Sequence, residues 1–74
     1  MPNVKFTIAE WRRLKNMSQQ RLADLCGVHL NTVRNWEDNP REIKLIHANK
    51  IAEIFEVSLE NIIFLPSDTT KGNN

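Results

Sequence analysis

The chain has 74 residues, of which 41% are hydrophobic, with a formal net charge of +1, one cysteine and two histidines. A chain this short makes one domain that buries a modest fraction of its surface, which argues against a deep substrate cavity and for marginal stability aided by dimerisation. The lone Cys26 excludes an intramolecular disulfide framework, Cys26 with His29 and His47 falls short of a zinc set, and no apolar run approaches the ~20 residues that cross a bilayer; a soluble, cytoplasmic protein is expected.

Residues 1–6 read as an N-terminal arm. Thr7-Ile8-Ala9-Glu10 matches a capping box, in which a hydroxyl and a carboxylate each accept a backbone N–H left free at a helix start, and Phe6 is placed to staple onto Trp11. The first helix therefore begins here, with Ile8, Trp11 and Leu14 inward. Arg12, Arg13 and Lys15 lie toward its C-terminal end, where the helix dipole favours cations, and Asn16 serves as a left-handed stop.

Ser18 is the expected N-cap of a second helix that starts at Gln19, with Met17 stapling onto Leu22. Leu22, Ala23 and Cys26 share its inward face, and Gly27 ends it, because glycine takes the left-handed conformation without a Cβ penalty. Val28 plugs the corner. A third helix, roughly residues 30–38, is capped by His29 or Asn31 and turns Val33 and Trp36 inward, leaving Leu30, Asn31, Arg34 and Asn35 outside. The small Ala23 allows two helices that cross over a short turn to approach closely.

Asp38-Asn39-Pro40 is a turn, and a polar loop containing Arg41 leads to Lys44. A fourth helix, roughly residues 45–55, buries Ala48, Ile51, Ala52 and Phe55, joined by Leu45 or Ile46. Ser58 then caps a last short helix through Ile62, Ile63 and Leu65, which Pro66 ends. The helical spacing after Leu45 argues against C-terminal strands. The domain is expected over residues 7–66, with residues 67–74 a disordered tail.

Charge is unevenly spread. Residues 1–36 carry six cations (Lys5, Arg12, Arg13, Lys15, Arg21, Arg34) against Glu10 and Asp24, whereas residues 37–74 carry four against seven acids. The half that holds the second and third helices is thus the basic one, as a face for phosphates requires.

The joint pattern of Gln19, Leu22, Ala23, Gly27, Val28, Val33 and Trp36 resembles the helix-turn-helix of the lambdoid phage repressor and Cro family, also called XRE-type, and the likeness runs roughly from Ile8 to Leu65. The resemblance implies an all-α, compact five-helix, lambda-repressor-like DNA-binding domain with the helix-turn-helix at helices two and three. Asn39 stands where the family usually carries glycine. By the same likeness His29, Leu30, Asn31, Arg34 and Asn35 fall at base-facing or groove-lining positions, and Arg12 pairs with Glu37 to tie helix one to the end of the reading helix. Asparagine matches an adenine edge, arginine a guanine edge and leucine a thymine methyl; the plainer alternative is that Asn31 only caps and Arg34 touches only phosphate.

Gln19 and Gln20 stand at a helix N-terminus, where side-chain amides and free N–H groups suit a phosphate, and Arg12, Thr32, Asn39, Arg41 and Lys44 are further phosphate candidates. Ala23, Gly27, Val28, Val33, Trp36 and Glu37 hold the motif together. The implied function is a sequence-specific regulator, a Cro or short repressor acting in a bacterial host cell, on a palindromic double-stranded DNA operator. A weak homodimer would set two copies ~34 Å apart, with Ile63 or Phe64 at the contact because Ile62 to Leu65 are four consecutive apolar residues. The rival is an antirepressor or antitoxin whose main partner is another protein. No catalytic arrangement, cofactor motif or metal set is evident.

Overall fold

The computed structural model describes residues 4–64. In chain order these form β1 (Phe6–Thr7), α1 (Ile8–Leu14), α2 (Gln19–Cys26), α3 (Leu30–Asp38), a 3-10 turn (Pro40–Glu42), α4 (Leu45–Phe55), a second 3-10 turn (Leu59–Asn61) and β2 (Ile62–Ile63). The fold is helical, with four α-helices rather than the five expected.

The helix starts follow from local chemistry. At α1 the Thr7 hydroxyl accepts from the Glu10 N–H at 3.2 Å while Glu10 Oε1 accepts from the Thr7 N–H at 2.9 Å, completing the capping box. Phe6 meets Trp11 edge to face with ring centroids 5.2 Å apart. Ser18 Oγ accepts from the Arg21 N–H at 3.0 Å and so opens α2. Among the described residues three turn left-handed to stop helices or leave them: Asn16 at φ 55, Gly27 at φ 71 and Glu56 at φ 60. The first two carry the residue types that tolerate this region; Glu56 does not.

The interior joins Ile8 and Trp11 of α1, Leu22 and Ala23 of α2, Val33 and Trp36 of α3, Ile51, Ala52 and Phe55 of α4, and Ile62 of β2. Each large aliphatic or aromatic side chain buried there contributes about 1.5–3 kcal/mol. Ala23 is fully buried, so a larger side chain at this crossing would force the two helices of the motif apart at a cost of about 1–3 kcal/mol.

Several expectations are corrected. Leu14 is 61% exposed instead of inward, and Leu45 and Ile46, either of which was to join the core, are 68% and 72% exposed. Ile43, in the preceding loop, packs against the core from that side instead. The last helix is absent from 58–64: a single 3-10 turn leads into β2, which pairs in parallel with β1 in the register Phe6 to Ile62 and Thr7 to Ile63. The carbonyl of Asn61 accepts from Trp11 Nε1 at 2.7 Å, and its side-chain amide donates to the Val4 carbonyl at 2.9 Å. These bonds satisfy polar groups against an apolar core and join the two ends of the domain, so extended backbone is held where a helix was expected. The end of the expected arm is part of the fold, since Val4 and Phe6 pack on the core. Leu65, Pro66 and the expected tail lie outside the described residues.

Candidate nucleic-acid interface

The reading surface is built by α3. His29 is its N-cap residue but makes no side-chain capping bond, and no acid lies in its first turn. Val33 and Trp36, three residues apart, are buried against α2 and the core, which turns His29, Asn31, Arg34 and Asn35 to solvent and leaves Leu30 and Thr32 half-buried at the edges. Arg34 Nη1 donates to Asn31 Oδ1 at 3.3 Å along the helix surface. The outward face therefore offers amide donors and acceptors, one guanidinium and one imidazole within three turns, on a helix of the width a major groove admits.

A polar node fixes the angle of this helix. Arg12 Nε donates to Glu37 Oε2 at 2.7 Å, Arg12 Nη2 reaches Glu37 Oε1 at 3.4 Å, and Arg12 Nη1 donates to the Met17 carbonyl at 2.9 Å. The side chains are only 12% and 9% exposed, so α1, the α1–α2 turn and the C-terminal end of α3 are tied through a nearly dry ion pair. Gln19 joins the node, its Nε2 donating to Glu37 Oε1 at 2.8 Å. The family resemblance implied the Arg12–Glu37 pair but not the bond from Gln19, and a contact between residues eighteen apart in different helices leaves no periodic trace from which to infer it. Among the described residues the Gln19 side chain makes this one bond, which leaves its second N–H and its oxygen to another partner.

The remaining phosphate candidates lie on α2, beside and within the first 3-10 turn, and at the start of α4. Gln20 is exposed and donates to Asp24 Oδ1 at 2.8 Å within α2. Arg41 lies exposed in the 3-10 turn, Lys44 is the exposed N-cap residue of α4, and Asn39 links α3 to that turn. Asp38 and Glu42 put two carboxylates beside Arg41. Glu42 was not singled out from sequence, yet its Oε1 accepts from Asn35 Nδ2 at 3.2 Å.

Away from this face, Phe64 is half-buried beside Ile43, Leu45, Ala48, Leu59 and Glu60, which line a shallow, mostly apolar groove. Ile63 is half-buried in β2. Cys26 packs against the core, and burial pushes its thiol pKa up, with Lys50 opposing. Among the described residues no three His, Cys, Asp or Glu side chains come together as a metal site, and no helix is long and apolar enough to cross a membrane.

Comparison with known proteins agrees with this geometry. The family model described as helix-turn-helix matches residues 8–62, from the first residue of α1 to the first of β2. No curated protein and no solved structure matches.

Proposed function

The chain belongs to the helix-turn-helix family of the XRE kind, DNA-binding transcriptional regulators, and from that premise we propose that it is a Cro-like protein or short repressor that inserts α3 into the major groove of a palindromic operator. The observation that carries this reading is the outward face of α3, whose His29, Asn31, Arg34 and Asn35 stand exposed over a buried Val33 and Trp36. Asn31, Arg34 and Asn35 read base edges, with Leu30 and His29 lining the groove. Gln19, Gln20, Thr32, Asn39, Arg41 and Lys44 meet phosphates. Arg12, with three of its N–H groups already engaged, acts mainly by holding α3, and any phosphate bond comes from a remaining N–H.

Two copies meet weakly on the operator through the apolar surface near β2 and the start of α4. Ile63 and Phe64 supply one part of that contact, and the exposed Leu45 supplies the other. The same apolar surface favours a second reading, an antirepressor or antitoxin whose main partner is a protein.

A gel shift on mixed-sequence DNA over a salt series separates the two. Phosphate binding weakens steeply as salt rises because bound counterions are released on association. A chain that shifts no DNA at low salt contradicts the DNA reading. Selection from a randomised duplex pool then gives the operator, and loss of all sequence enrichment in Asn35→Ala and Arg34→Ala together tests the base-reading roles.

A further inference from the structure

The C-terminal end of α3 carries a short chain of side-chain bonds that the reading helix alone does not explain. Asn39 Nδ2 donates to Asn35 Oδ1 at 3.1 Å, and Asn35 Nδ2 donates to Glu42 Oε1 at 3.2 Å. Both partners sit on firmly held backbone. The Asn39 N–H donates to the Asn35 carbonyl at 2.6 Å, the Glu42 N–H donates to the Asn39 carbonyl at 3.0 Å, and Pro40 opens the 3-10 turn between them with a φ fixed by its ring.

The chemistry of this chain has a direction. An ionised carboxylate only accepts, so Glu42 requires Asn35 to turn its nitrogen toward it and its oxygen toward Asn39, which must then donate. A free amide at an exposed site flips between two orientations that exchange donor and acceptor. The two bonds remove that freedom while using only one N–H and one lone pair of Asn35. One donor and one acceptor are left over, the pair that an adenine edge matches.

We propose that Asn39 and Glu42 are positioning residues that orient the Asn35 amide, so that preference at one base pair is set jointly by α3 and the 3-10 turn. The inference rests on the reading of Asn35 as a base-contacting residue. It also gives a function to a carboxylate at the rim of a surface that otherwise needs positive charge: its cost in phosphate repulsion is offset by a fixed amide.

The test uses fluorescence anisotropy with the duplex most enriched by the wild-type protein from a randomised pool, and with duplexes carrying the other three base pairs at each position in turn. Asn35→Ala identifies the position it reads by the preference it abolishes. At that position Glu42→Ala and Asn39→Ala are expected to lower preference about three- to tenfold, the scale of freeing one side chain at an interface. Glu42→Gln keeps an acceptor oxygen and should retain most of the preference. In an Asn35→Ala background neither alanine variant should change base preference there. Thermal midpoints read out any merely structural effect, and such an effect, like loss of the Asn39 phosphate contact, would lower binding to all duplexes alike and leave base preference unchanged. If Asn35→Ala abolishes a preference that Glu42→Ala and Asn39→Ala leave unchanged, the positioning role is overturned and the base-reading role stands. If Asn35→Ala alters no preference at any position, both fall.

Discussion

Truncation of Glu37 to alanine tests the node that aims α3. The carboxylate is 9% exposed and takes bonds from Arg12 and from Gln19, while the Arg12 side chain is 12% exposed. Removing it leaves a guanidinium in a nearly dry site with, among the described residues, only the Met17 carbonyl as partner, and stranding one member of a buried pair costs about 3–5 kcal/mol. A domain of this size has roughly 4–11 kcal/mol of total stability, so the loss is a large share of the whole. With a urea m-value of about 1–2 kcal/mol/M, a 3 kcal/mol loss lowers the midpoint by about 1.5–3 M. Glu37→Gln, which keeps one acceptor oxygen, should lose less, about 1.5–3 kcal/mol. Replacing both partners by apolar residues, as in Arg12→Met with Glu37→Leu, should recover much of the stability, since two desolvation costs vanish together. Equilibrium urea unfolding followed by tryptophan fluorescence reads all three variants against the wild type. The reasoning is refuted if Glu37→Ala changes the midpoint by no more than an exposed ion pair would, about 0.2–1 kcal/mol.

Glu56→Gly, at a left-handed position with φ 60, should stabilise the fold by about 1 kcal/mol and raise the thermal midpoint by about 4–8 °C; a fall in the midpoint counts against the strain argument. At Gly27, with φ 71, a built Cβ meets nothing within 4 Å, so Gly27→Ala should cost only the backbone penalty of about 1–2 kcal/mol and Gly27→Asn less; equal losses for both would point to a steric cause instead. Asn35→Ala should weaken the selected operator far more than mixed DNA, whereas Gln20→Ala should weaken both similarly, as parallel anisotropy titrations would show. The Cys26 thiol is pushed above its ordinary value of 9.0 by burial, so the folded state favours the protonated form. That contribution is fully present below pH 9.0 and is lost as pH rises through the folded value, so the wild type should lose more stability than Cys26→Ser between pH 8 and pH 10. Parallel losses in the two proteins would contradict it.

The helix-turn-helix was legible because its signals are local. Ser18, Gly27 and the Thr7–Glu10 box each act on backbone within three or four residues, and Ala23, Val33 and Trp36 occupy the buried face that their spacing gives. What was misread depends on partners distant in sequence. Leu14, Leu45 and Ile46 fit a helical apolar pattern at helix ends, but the core is too small to cover those ends and Ile43 reaches it first. The β1–β2 pair is two residues long on each side and joins segments more than fifty residues apart, so no alternation marks it. At the interface, the exposure of Asn31, Arg34 and Asn35 could be read from periodicity, whereas Leu30, expected outside with them, is half-buried at the edge of the face. The bonds of Gln19 to Glu37 and of Asn35 to Glu42 could not, since each is made between elements whose packing only the fold sets.

Amide chemical-shift mapping on titration with the pool-selected duplex addresses the assignment of α3 as reading head most directly. The account predicts that the largest changes fall at residues 29–35, with smaller ones at Gln19, Gln20 and Lys44, and that all of them fade together as salt is raised. Binding that leaves residues 29–35 unmoved while shifting the groove of Ile43, Leu45 and Phe64 would contradict it.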